Sequence, residues 1–102
     1  MKLTDADIEQ LKEKHENLQK LTVTDSKGET HDFVFRRINR EEIDAATKMG
    51  NASPTKALEV QMTSSCVFGA KELIMNDTEV FRAIQSVWHE VQKVSVVELG
   101  KL

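Results

Sequence analysis

Two short runs, "KLTVT" and "HDFVF", flank "DSKGET", and this stretch constrains the fold more than any other. Leu21 and Val23 on one side, and Phe33 and Phe35 on the other, fall at alternate positions, as in strands with one covered face. "DSKG" is good turn chemistry, with Gly28 free to take a positive φ, so a β-hairpin is predicted over 21–37. Two strands alone are marginal in water, and the face carrying these four side chains must be covered by a helix from elsewhere in the chain. The predicted fold class is α+β.

Helical patterns fill the rest. In the first 20 residues Ile8, Leu11 and Leu18 form a thin apolar stripe, with Thr4 as N-cap and Asp5 and Asp7 favourable to the helix dipole. So thin a stripe suits an arm that docks loosely or is mobile. After the hairpin, Asn39 and Glu42 form a capping box that opens a helix with Ile43, Ala46 and Met49 on its narrow apolar face. "GNASP" interrupts it: Gly50 suits a C-cap, Ser53 an N-cap and Pro54 the first helical position. From Pro54 to about Phe68, Leu58, Val60, Met62, Cys66 and Val67 predict a largely buried, central helix. A short helix at "AKELIM" follows, and Asp77 caps the last one. The expectation is one domain, 1–102, mainly α: an N-terminal helix, the hairpin, then a bundle of about four helices over 39–102. "VSVVELGKL" is rich in β-branched residues and out of helical phase, and receives no assignment.

The last helix is the most apolar. Val80, Ile84, Val87, Val91 and Val94 form one stripe, and Phe81 and Trp88 a second, roughly 100° round the axis. That combined arc exceeds what one core needs. The helix therefore either touches two internal layers or keeps surface for a partner. On the second reading Phe81, Ile84, Val87, Trp88 and Val91 are the partner-binding residues, and an arc left uncovered would favour homo-oligomers.

Charge and composition exclude some functions. A formal net charge of −3 gives no reason to expect nucleic-acid or membrane binding. The N-terminus has acids where a signal peptide needs bases, and no run approaches the roughly 20 apolar residues of a membrane span. A single cysteine, Cys66, fits a reducing compartment, so the cytoplasm is expected.

No catalytic constellation stands out. Cys66 with His31 or His89 carries no nucleophile signature, and on an apolar helix face a cysteine acts as a small hydrophobe. His15, His31, His89 and Cys66 lack the close spacing of zinc ligands, and Asp5 and Asp7 lack a calcium-loop pattern. The scattered glycines make no phosphate loop. No cofactor and no metal is expected. Arg36, Arg37 and Arg40 form a basic cluster, but Glu41, Glu42 and Asp44 follow at once, and strand alternation sends Arg36 and Arg37 to opposite faces. The junction reads as a hinge rather than a clamp. The helix pair around "MGNASP" is not a DNA-reading motif, because "PTKALEVQMTSS" has one cation and too many apolar residues.

The order hairpin, "FVFRRINREEID", helix, "LEVQMTSSCVFGAKELI", "EVFRAIQSVWHEVQKV" resembles the small tail assembly chaperones of tailed bacteriophages. Phe33, Phe35, Arg37, Arg40, Cys66, Val67, Glu72 and Leu73 carry the resemblance, which spans roughly Leu21 to Leu99. It implies a non-enzymatic protein of the host cytoplasm, absent from the mature virion. Its partner would be the phage tape-measure protein, which it keeps soluble, and it would help recruit tail tube subunits. The alternative is a small phage-encoded regulator or inhibitor that docks on a host protein through the same apolar arc.

Overall fold

A computed structural model describes residues 2–93 and 100–101. Helix α1 runs Asp5–Lys14, strands β1 and β2 run Gln19–Thr24 and Thr30–Phe35, and helices α2 and α3 run Arg40–Gly50 and Pro54–Ser65. Strand β3, Cys66–Phe68, precedes helices α4, Lys71–Asn76, and α5, Thr78–Val91. The class is α+β and mainly helical, with 56% helix against 16% strand. The unassigned segment "VSVVELGKL" lies largely outside the described residues.

The hairpin forms as its alternation predicts. Leu21 pairs with Phe33 and Val23 with His31, antiparallel, and Gly28 takes φ +83° in the turn. Val23, Phe33 and Phe35 point into one core cluster with Met62, Cys66, Ile74 and the buried face of α5. Phe33 and Phe35 stack with ring centroids 6.1 Å apart, and Trp88 meets Phe35 edge-on at 5.1 Å.

The sheet has a third strand that the sequence reading assigned to a helix. Helix α3 ends at Ser65 rather than near Phe68, and Cys66–Phe68 pairs antiparallel with β2 across an irregular register. Two forces end the helix there. Thr63 and Ser65 turn their hydroxyls back onto the carbonyls of Glu59 and Gln61, a poor way to continue a helix. The open edge of β2 then supplies the backbone partners that a buried segment needs, extended by the Arg36 amide donating to the Ser65 carbonyl at 2.9 Å. The strand leaves through Gly69 at φ +119°. A β-carbon on Gly69 would lie 2.5 Å from the Phe33 ring and 2.9 Å from the Asp32 carbonyl oxygen, so only glycine fits.

The predicted caps are present. Thr4 and Asp7 form a reciprocal capping box on α1, Asn39 and Glu42 form another on α2, and Ser53 and Asp77 cap α3 and α5. Two further boundaries differ from expectation. Helix α1 stops at Lys14 instead of Lys20, because Asn17 takes a left-handed φ of 56° and the chain must extend by Gln19 to pair with Phe35. Gly50 is the last residue of α2 rather than a left-handed cap, with Asn51 right-handed after it.

No residue of α1 is buried. The helix lies on the outer face of the hairpin, where Leu3, Ile8, Leu11 and Leu18 gather around Val34, and the Leu3 amide donates to Asp32 Oδ2 at 2.9 Å. Leu18 thus joins the apolar stripe from beyond the helix end.

The junction between β2 and α2 is a hinge held from both sides. Arg36 donates to both oxygens of Glu42, at 2.7 and 2.9 Å, and to the Ser64 carbonyl at 2.8 Å. From the end of α5, the Gln92 amide accepts from the Ile38 N–H and donates to the Arg36 carbonyl, so that it continues the sheet's hydrogen bonding. Arg37 donates instead to the Lys93 carbonyl.

Candidate functional site

The five residues expected to face a partner divide into two sets. Ile84, Trp88 and Val91 are core residues at 0%, 7% and 8% exposure, which corrects their assignment to a partner surface. Phe81 and Val87 are half-buried and pack against the core from its edge. The buried arc of α5 enters one core cluster that it shares with the hairpin, α3 and α4. Trp88 meets Phe35 of the hairpin edge-on and donates from Nε1 to Gln61 of α3, while Ile74 of α4 packs in the same cluster.

What α5 leaves accessible is its Phe81 edge. Phe81, Arg82 and Gln85 form one wall of a cleft of about 420 Å³ whose other walls are Thr55 and Glu59 of α3 and Ile74 and Met75 of α4. Ile74 closes the floor at 1% exposure, while Met75, the next residue along, is 52% exposed at the rim. Arg82 and Gln85 are exposed polar groups beside it, and Glu59 pairs with Lys56 at 3.3 Å. Asp77 and Thr78 also line the cleft, so Ile74, Met75 and Phe81 make a narrow apolar strip in an otherwise polar lining. Such a strip can take the apolar edge of an amphipathic helix, and methionine adapts to varied contacts. Met75 had no role in the sequence reading. Its signal was its place beside Ile74, because neighbouring helical residues point about 100° apart and only one of them faces the core squarely.

The groups considered for chemistry lie apart or are engaged. Cys66 is buried, and burial pushes its thiol pKa up, so it stays a thiol while Sγ donates to the Phe68 carbonyl. Of the basic cluster, Arg36 is committed to Glu42, while Arg40 is exposed at the start of α2. His89 is exposed on α5, and His15 caps α1 through its backbone.

A further constellation escaped the sequence reading. Asp25, Glu29 and His31 bring ligand-type atoms to within 4.8 Å of one another at the hairpin turn. His31 Nε2 lies 3.1 Å from Asp25 Oδ2, and the Asp25 carboxyl is held below its usual range, first by His31 and then by the Glu29 and Lys27 amides. The signal in the sequence was the D-x-x-x-E-x-H spacing across a hairpin turn, which antiparallel pairing folds together.

No family model, curated protein or solved structure matches this chain. Among the described residues no helix is long and apolar enough to cross a membrane.

Proposed function

We propose that this protein is a non-enzymatic binding module, a tail assembly chaperone that holds the phage tape-measure protein in the host cytoplasm before the tail tube forms around it. The cleft between α3, α4 and α5, with Met75 exposed at its rim and Phe81 in its wall, carries the reading. A helix of the partner would lay its apolar face on Met75 and Phe81 and set its polar edges against Arg82, Gln85 and Glu59. The choice of partner rests on the resemblance, whose residues Phe33, Phe35 and Cys66 are buried together and whose Leu73 packs against them. The burial of the Cys66 thiol and the commitment of Arg36 to Glu42 favour a binding role over thiol chemistry or nucleic-acid contact.

Co-expression tests this reading. The tape-measure protein should be more soluble when made with this chain than when made alone, and should co-purify with it. Unchanged solubility and no co-purification would refute the reading, and a stable complex with a host protein instead would support the regulator.

A further inference from the structure

We propose that the hairpin turn is a binding site for one divalent transition-metal ion of the zinc type, held by Asp25, Glu29 and His31. Antiparallel pairing of Thr24 with Thr30 sets Asp25 opposite the residues leading into His31, so one turn supplies the donors. The Asp25 carboxylate is already oriented. Its Oδ1 accepts from the Lys27 and Glu29 amides at 2.9 Å each, which leaves Oδ2 facing His31 Nε2 at 3.1 Å. Bonds of about 2.0–2.1 Å to zinc place neighbouring donors roughly 3 to 3.4 Å apart, so this pair stands at the spacing of two adjacent ligands.

The third donor needs little movement. Glu29 is exposed, its carboxylate makes no ion pair among the described residues, and it begins within 4.8 Å of the other two. Asp25 and His31 are only 12% and 16% exposed in their side chains, so a cation between them is partly shielded from water. A cavity of about 160 Å³ adjoins them, and its far wall carries Glu79, whose Oε2 accepts from Ser26 Oγ at 3.0 Å. Asp77 also lines this cavity but is committed to capping α5, and Lys27 is the cation that faces the acids. Acids outnumber bases around the cavity, which attracts cations.

An imidazole with two carboxylates suits zinc, cobalt or manganese, whereas calcium and magnesium prefer oxygen donors alone. On binding, the ion takes the place of the hydrogen bond between His31 Nε2 and Asp25 Oδ2, and the ring coordinates as its Nδ1–H tautomer. Water or Glu79 completes the shell. Through Glu79, in the first turn of α5, the ion would tie the hairpin to the helix that fills the core.

Titration of the chelator-stripped full chain with zinc chloride and cobalt chloride tests this, read by calorimetry, by the visible cobalt spectrum and by Tm. The expected result is one equivalent bound saturably, zinc displacing cobalt, and a rise in Tm. Glu29→Gln, at an exposed side chain, should weaken zinc by an order of magnitude or more, His31→Ala should abolish it, and His89→Ala should leave it unchanged. No saturable binding, or binding that survives Glu29→Gln undiminished, would overturn the proposal. If His31→Ala fails to fold, the Glu29 variant decides.

Discussion

Glu42 serves two neighbours with one carboxylate. Its Oε1 accepts from the Asn39 amide at 2.9 Å and from Arg36 Nη1 at 2.7 Å, and its Oε2 accepts from Arg36 Nη2. The Arg36 contact, followed by the Asn39 amide, holds its pKa below the usual glutamate range. A carboxyl whose folded pKa is lowered stabilises the fold above its unfolded pKa, about 4.3, and this contribution is lost as pH falls through the folded value. Stability should therefore decline on acidification below about pH 5, and Glu42→Gln should flatten that decline while costing about 1–3 kcal/mol at neutral pH. Urea unfolding of both proteins across acidic pH checks this; equal slopes would show that the pair does not couple to folding. Gly69 makes a different point at the same scale. Its place after "CVF" was visible in the sequence, but its need to be glycine was not, because the Phe33 ring and Asp32 carbonyl that exclude a β-carbon come from a strand more than thirty residues earlier.

At the scale of elements, local chemistry was legible and competition between elements was not. The caps Thr4, Asn39, Ser53 and Asp77 each depend on an amide within three residues, so sequence spacing sufficed. The hairpin was legible because its partners sit on either side of one turn. Strand β3 was hidden because Cys66 and Val67 continue the apolar pattern of α3, and only the free edge of β2 decides that they extend. The α5 arc was seen but its use was misassigned. Most of its width is buried in the core shared with the hairpin, α3 and α4, which a single helix's periodicity cannot distinguish from an exposed face. Trp88 accordingly belongs to the core: Trp88→Ala should cost about 3–5 kcal/mol through the lost ring contact with Phe35 and the orphaned Gln61 amide. Chemical denaturation checks it, and a loss under about 1 kcal/mol would place the ring outside the core.

For the whole molecule, the sheet is covered on both faces, by α5 inside and by α1 over Val34 outside. Among the described residues, large apolar side chains stand exposed at two places, Met75 at the rim of the α3–α4–α5 cleft and Ile43 on α2. The core and this cleft are separable by mutation, because Ile74 and Met75 are neighbours with opposite exposure, 1% against 52%. Met75→Glu should leave stability within about 0.5 kcal/mol of the wild type, as at other exposed positions. The same change places a charge where an apolar partner face would sit, and desolvating it without a partner is costly. The deciding measurement is co-purification of the tape-measure protein with the wild type and with Met75→Glu, both confirmed folded by their Tm. The expected result is retention by the wild type and loss by the variant; equal retention by both would contradict the assignment of this cleft as the binding site.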